Sequence, residues 1–203
     1  MENKKRKKWK LVVIGVCLFF FFLILGTCSG GLFSPFPCLY LPSFKGKVIN
    51  ADTKEPISGA AVLTVYYKEW TSVAGSNTFA VDAQEILTDE KGEFKIPLAM
   101  RWFPLYRGYT EGQVIIFKPG YGVFPRHRRS KAVGERKTWP PPWKYIVYEL
   151  PKLKTREERD SNLNIIRPDI PYEKMKNFIL LLNEEYISLG YSPYPIPSEE
   201  KQK

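Results

Sequence analysis

The chain has 203 residues, of which 44% are hydrophobic and 15% aromatic, and a formal net charge of +10. This length suits one globular domain plus an anchor and leaves little room for a second full domain. Half of the charge excess lies in residues 1–28, on Lys4, Lys5, Arg6, Lys7, Lys8 and Lys10, so a general nucleic-acid-binding reading loses half its support.

The basic stub at Lys4–Lys10 precedes Leu11–Leu25, an apolar run broken by one Gly and one Cys. This is the pattern of a secretory signal's n- and h-regions. A helix over that run reaches about 22 Å, short of a bilayer core of about 30 Å. Extension through residues 27–33 instead makes a signal-anchor helix. In both readings the basic end stays in the cytoplasm and the body crosses the membrane. Leu25-Gly-Thr-Cys28 resembles a bacterial lipobox, with Thr27 where that motif usually has Gly, Ala or Ser. The resemblance implies Cys28 as the lipid-attachment residue; otherwise Cys28 simply flanks a membrane helix. The remaining cysteines are Cys17, inside the apolar run, and Cys38. No disulfide framework is therefore expected in the body, and no zinc cluster.

Residues 29–43 read as a proline-rich linker, since each proline fixes its own φ and biases its predecessor away from helix. From Phe44 onward the chain alternates short strand-like runs with turns. The runs are Phe44–Asn50, Gly59–Tyr67, Phe79–Thr88, Gly92–Pro97, Gln113–Lys118 and Trp143–Leu150. Phe79–Thr88 is expected to pair with Gly92–Pro97 as a hairpin, with Gly92 at its positive-φ position. Lys68–Thr78 reads as a polar loop, and Arg101–Thr110 has no clear periodicity. Helical signals come only after residue 150. Thr155 with Glu158 has the spacing of a capping box. Pro171–Leu189 places Tyr172, Met175, Phe178, Ile179, Leu182, Tyr186 and Leu189 on one apolar face, ended by Gly190. That stripe is expected to pack on the β-rich body, with a partner helix or membrane surface as the other possibility.

Three segments together resemble a family. Gly46-Lys-Val-Ile-Asn-Ala-Asp-Thr-Lys-Glu-Pro-Ile-Ser-Gly-Ala-Ala-Val62 is similar to the opening of carboxypeptidase regulatory-like domains. Thr88-Asp-Glu-Lys-Gly-Glu-Phe94 resembles their hairpin, and Lys118-Pro-Gly-Tyr121 their late turn. The motifs follow the family's order. The resemblance implies a mainly β fold, a transthyretin-like (prealbumin-like) seven-stranded β-sandwich, here with a C-terminal helical extension. It also implies a non-catalytic module of an exported protein. The organisation is then 1–28 signal, lipobox or membrane anchor, 29–43 linker, 44–150 β-sandwich and 151–203 helical extension.

Candidate chemistry is sparse. His127 is the only histidine and reads as a solvated loop residue, because alone it builds neither a dyad nor a zinc site. Asp82, Glu85, Asp89, Glu90 and Glu93 cluster around the expected hairpin and read as solvated turn charges, with no calcium-loop spacing. The candidate ligand-binding residues are Arg126, Arg128, Arg129, Lys131, Trp139 and Trp143. In one proline-rich loop they combine cations for a polyanion with aromatic faces for sugars. The same loop also reads as a solvated insertion. No cofactor, metal or catalytic residue is expected, and no nucleic acid as partner. The leading reading is a non-enzymatic, membrane-tethered cell-envelope domain on the periplasmic side, serving structure or protein–protein contact. The alternative is a carbohydrate- or anionic-polymer-binding module using the 126–143 loop.

Overall fold

The computed structural model describes residues 14–16, 38–72, 75–102, 108–127, 140–164 and 168–196. In chain order the strands are β1 (Cys38–Leu41), β2 (Phe44–Asn50), β3 (Ala61–Ser72), β4 (Gly75–Leu87), β5 (Glu93–Ile96), β6 (Ala99–Trp102), β7 (Gly108–Tyr109), β8 (Glu111–Phe117) and β9 (Tyr145–Leu150). Helix α1 (Arg156–Asn162), a 3-10 turn at Tyr172–Lys174 and helix α2 (Lys176–Ser188) follow. The protein is mainly β, with three three-stranded sheets among the described residues. Residues 14–16 are helical, and the rest of the apolar run 11–25, with Cys28, lies outside the described residues. Among the described residues no helix is long and apolar enough to cross a membrane.

The chain divides into two compact units. In the smaller, Met1–Tyr40 with Met100–Tyr109, strand β1 lies between β6 and β7. It runs parallel to β7, pairing Leu39 with Gly108 and Tyr40 with Tyr109. Strands of four and two residues are too short to show the alternation that would announce them in sequence.

The larger unit, Leu41–Ala99 with Thr110–Lys203, holds the sheets β5-β2-β9 and β4-β3-β8. β2 is antiparallel to β5 and parallel to β9, in register from Lys45–Tyr145 to Asn50–Leu150. Its alternation is read directly by burial: Phe44, Gly46, Val48 and Asn50 are buried, while Lys45 is exposed and Lys47 and Ile49 are half-buried. Gly46 is required by close approach, since a Cβ there would stand 2.2 Å from the Ile146 carbonyl oxygen. Facing side chains of the two sheets fill one core. Val62, Tyr66, Val114 and Ile116 meet Phe44, Val48, Phe94, Ile96, Ile146, Tyr148 and Leu150. Its rings pack tilted or edge-on, Phe124 to Tyr148 at 4.9 Å and Phe44 to Tyr66 at 6.3 Å between centroids.

The opposite face of β4-β3-β8 is covered as well. Ala61, Leu63, Val65, Ala83, Ile115 and Phe117 pack against Leu163, Met175, Phe178, Ile179, Leu182 and Leu189. The predicted apolar stripe therefore packs on the body, and each fully buried side chain such as Phe178 stabilises this layer by about 1.5–3 kcal/mol. Burial on both faces explains why Ala61–Tyr66 reads as a nearly unbroken apolar run rather than an alternation.

Four expectations are corrected. Strand β5 pairs with β2, not β4, so the Asp89–Gly92 turn passes the chain from one sheet to the other. Gly92 does adopt φ +72, and its carbonyl accepts from the Val48 N–H at 2.8 Å. Lys68–Thr78 is not a loop: β3 and β4 continue as a paired ribbon to Ser72 and Gly75. α2 begins only at Lys176, because Met175 (φ −140) interrupts it after the 3-10 turn. β9 begins at Tyr145, since Trp143 has φ +69. The capping box is present as read. Thr155 Oγ1 accepts from the Glu158 N–H at 3.1 Å, and Glu158 Oε2 accepts from the Lys154 and Thr155 N–H groups. Those two N–H groups hold the Glu158 carboxyl below its usual range.

Candidate binding surface

Of the candidate loop residues, Arg126 and Trp143 are described; Arg128, Arg129, Lys131 and Trp139 lie outside the described residues, as does Cys28. Phe124 is held by two backbone bonds to Ile116, and a turn closed by His127 N–H to Val123 O then presents Arg126. Its guanidinium donates to the Ser161 carbonyl and, at 3.0 Å, to Ser161 Oγ. Arg126 thus braces the last turn of α1, where a cation also meets the negative end of the helix dipole. Trp143 is 48% exposed, and its backbone N–H donates to Ser43 O at 3.1 Å, just ahead of β2. The backbone before Arg126 is tied elsewhere, by Gly122 N–H to Pro151 O beyond the far end of β9. Arg126 and Trp143 are therefore fastened at opposite ends of that strand. His127 is half-buried rather than solvated, its ring lying where a Cβ on Gly122 would come within 2.6 Å.

Asp89, Glu90 and Glu93 are exposed at the turn, as expected, whereas Asp82 and Glu85 are half-buried and tie elements together. Asp82 pairs with Lys174 at 3.0 Å. Asp89 Oδ1 accepts from the Lys91 and Glu93 N–H groups and shapes the turn. Glu85 reaches from β4 to the start of α2, accepting from the N–H groups of Asn177, at 2.8 Å, and Phe178. It supplies the cap that no local side chain provides. Burial pushes its carboxyl above the usual range, and the two N–H donors offset that only in part. Glu185 is fully buried and accepts from Arg159 Nε and Nη2, both at 2.7 Å, and from the Gly120 N–H at 3.1 Å. The Glu185 bond in turn holds the Arg159 guanidinium above its usual range. This buried pair locks α1, α2 and the Pro119-Gly120 turn together. Among the described residues no group of three or more His, Cys, Asp or Glu is placed to hold a metal ion.

The sequence did not single out the outward face of β5-β2-β9. Lys45 lies between Lys95 of β5 and Tyr145 of β9, and Lys47 between Glu93 and Val147. Lys45, Lys95, Tyr145 and Val147 are exposed. Tyr145 Oη donates to Glu93 Oε1 at 3.0 Å. Desolvation, then the bond to Glu93 and its charge, hold the phenol above its usual range. Lys54 pairs with Glu149 at 3.0 Å. The face thus uses its two acidic residues on Tyr145 and Lys54 and leaves two lysines directly opposite each other. Polar positions alternating with the apolar ones of Phe44–Asn50 and Glu93–Ile96 carried this signal in the sequence.

No family model, curated protein or solved structure matches this chain.

Proposed function

We propose that the chain is a non-enzymatic, membrane-tethered domain of the bacterial cell envelope, serving structure or protein–protein contact on the periplasmic side. Its body is read as a transthyretin-like β-sandwich of the carboxypeptidase regulatory-like kind. Two three-stranded sheets sharing one core support that reading. So does the placement of the motif residues, with Gly92 and Gly120 both at positive φ in turns. The observation that carries the non-enzymatic reading is the use of the polar candidates. Of these, Arg126, Asp82 and Glu85 are each engaged in bonds that join secondary-structure elements, and so is Glu185, which the sequence did not single out.

The experiment is intact mass of the membrane-extracted protein, for wild type and Cys28→Ala. A mature species starting at Cys28 with added acyl mass, lost in the variant, is the expected result for a lipid tether. A full-length unmodified chain in the membrane fraction assigns the tether to an uncleaved helix instead. Recovery of the wild-type chain in the soluble fraction would overturn the tethered reading.

The alternative, a carbohydrate- or anionic-polymer-binding module, is favoured by the exposed Trp143. The bracing of Arg126 against Ser161 weighs against the loop as first read, because that cation already has acceptors. Salt-sensitive retention on envelope polysaccharide is the result this alternative requires.

A further inference from the structure

The row Lys95–Lys45–Tyr145 runs across three adjacent strands, at about 4.8 Å per strand. Like charges directly opposite in a ladder oppose pairing, yet Lys45 and Lys95 are both exposed and, among the described residues, make no side-chain hydrogen bond or ion pair. Lys144, one residue ahead of β9, is exposed and likewise makes no ion pair among the described residues, and Trp143 next to it is 48% exposed. Trp143 also holds φ +69, a conformation that non-glycine residues adopt rarely and that concentrates at functional positions. These residues gather at the end of the sheet where β2 begins, which is also where the chain arrives from the N-terminal segment.

From this juxtaposition we propose that the Lys45/Lys95/Lys144 face, with Trp143 and Tyr145, docks on an anionic phospholipid surface. The occupant is chosen by chemistry. Paired lysines suit a dense array of phosphates, while Trp and Tyr carry an apolar body and a polar tip suited to the headgroup boundary. The inference rests on the tethered reading. With the N-terminal segment holding the domain near the bilayer, docking becomes intramolecular and weak contacts suffice. Each lysine at such a surface contributes about a fivefold factor in partitioning, and salt screens it.

The test is amine acetylation followed by mass spectrometry on the full chain reconstituted in vesicles. One set is neutral phosphatidylcholine, and the other contains about 30% phosphatidylglycerol. The internal reference is Lys176, exposed on α2, the element that covers the other sheet. On the anionic vesicles Lys45, Lys95 and Lys144 should acetylate at least about threefold more slowly than on neutral ones, with Lys176 unchanged and the difference removed by high salt. Lys45→Glu should restore Lys144 to its neutral-vesicle rate without lowering the melting temperature, because Glu opposite Lys95 turns a repulsion into an attraction.

Equal reactivity on both vesicle types, with the chain floating on each, overturns the docking face and leaves the tether intact. Failure to float on neutral vesicles overturns the tether, while slowed acetylation on anionic ones would still support the face. Failure to float on either overturns both. Slowing by soluble dextran sulfate but not by anionic vesicles assigns the face to a polyanionic polymer and overturns the lipid proposal.

Discussion

Replacing Arg159 with leucine strands a carboxylate inside the protein. Glu185 has no exposed surface, and two of its three hydrogen bonds come from Arg159; the third is from the Gly120 N–H. Breaking a buried pair from one side costs about 3–5 kcal/mol, because the remaining charge is neither paired nor hydrated. The Arg159 side chain keeps 28% exposure, so water reaches that edge of the pair. The expected cost therefore falls at the low end, about 3 kcal/mol. For a domain of this size that lowers Tm by about 6–12 °C. Arg159→Leu combined with Glu185→Leu leaves no charge behind and should recover about 1–2 kcal/mol relative to Arg159→Leu alone. The assay is urea unfolding of the detergent-solubilised full chain, followed by tryptophan fluorescence, with m-values compared across Arg159→Leu, Glu185→Leu, the double variant and wild type. A cost below about 1 kcal/mol for Arg159→Leu, or two single effects that simply add, would refute the assignment of this pair as the lock between the helices.

Two further outcomes follow from buried polar groups. Glu85 has a folded-state value above its unfolded 4.5, so its contribution is fully present below that pH and is lost as pH rises through the folded value. Glu85→Gln removes the titration. Wild type should therefore lose Tm relative to the variant as pH is raised from about 4 to about 7, and a wild-type advantage growing with pH would contradict the sign. Thr64 Oγ1 is buried without a partner, beside its cross-strand neighbour Gln84, whose Nε2 is also unpartnered. Thr64→Val should leave stability unchanged or raise it by up to about 1 kcal/mol in chemical denaturation, and a loss of that size would show that a bound water satisfies the hydroxyl.

Local signals carried well from sequence to structure, and choices of partner did not. Phe44–Val48 declared its inward face because apolar and polar residues alternate there, before Ile49 and the buried Asn50 break the pattern, and Thr155 with Glu158 declared the start of α1 because both partners lie within one turn. Phe94 and Ile96 also declared which side they bury. Nothing in their alternation says whether β4 or β2 lies alongside, and the Asp89–Gly92 turn chemistry serves a hairpin and a change of sheet equally well. The ribbon beyond Tyr67 does not show in the sequence because Glu69, Asn77 and Thr78 are polar, and in the structure all three are exposed. Glu85 was unreadable for another reason. It caps a helix whose N–H groups lie 92 and 93 positions away, and no local pattern encodes a bond of that span. The surface face was hidden in the same way: Lys45 and Lys95 become neighbours only once β5 joins β2.

The pairing of β2 with β9 has a consequence for the order in which the molecule is made. β2 is the middle strand of its sheet, yet one of its two neighbours is encoded about a hundred residues later. At about 5–20 residues per second, a growing chain carries β2 for roughly 5–20 s before residues 145–150 exist to cover that edge. Through that interval the strand presents unpaired N–H and C=O groups that any other extended chain can claim. Lys45 and Lys47 sit on this strand, and their charge discourages a second copy from adding itself edge to edge before β9 arrives.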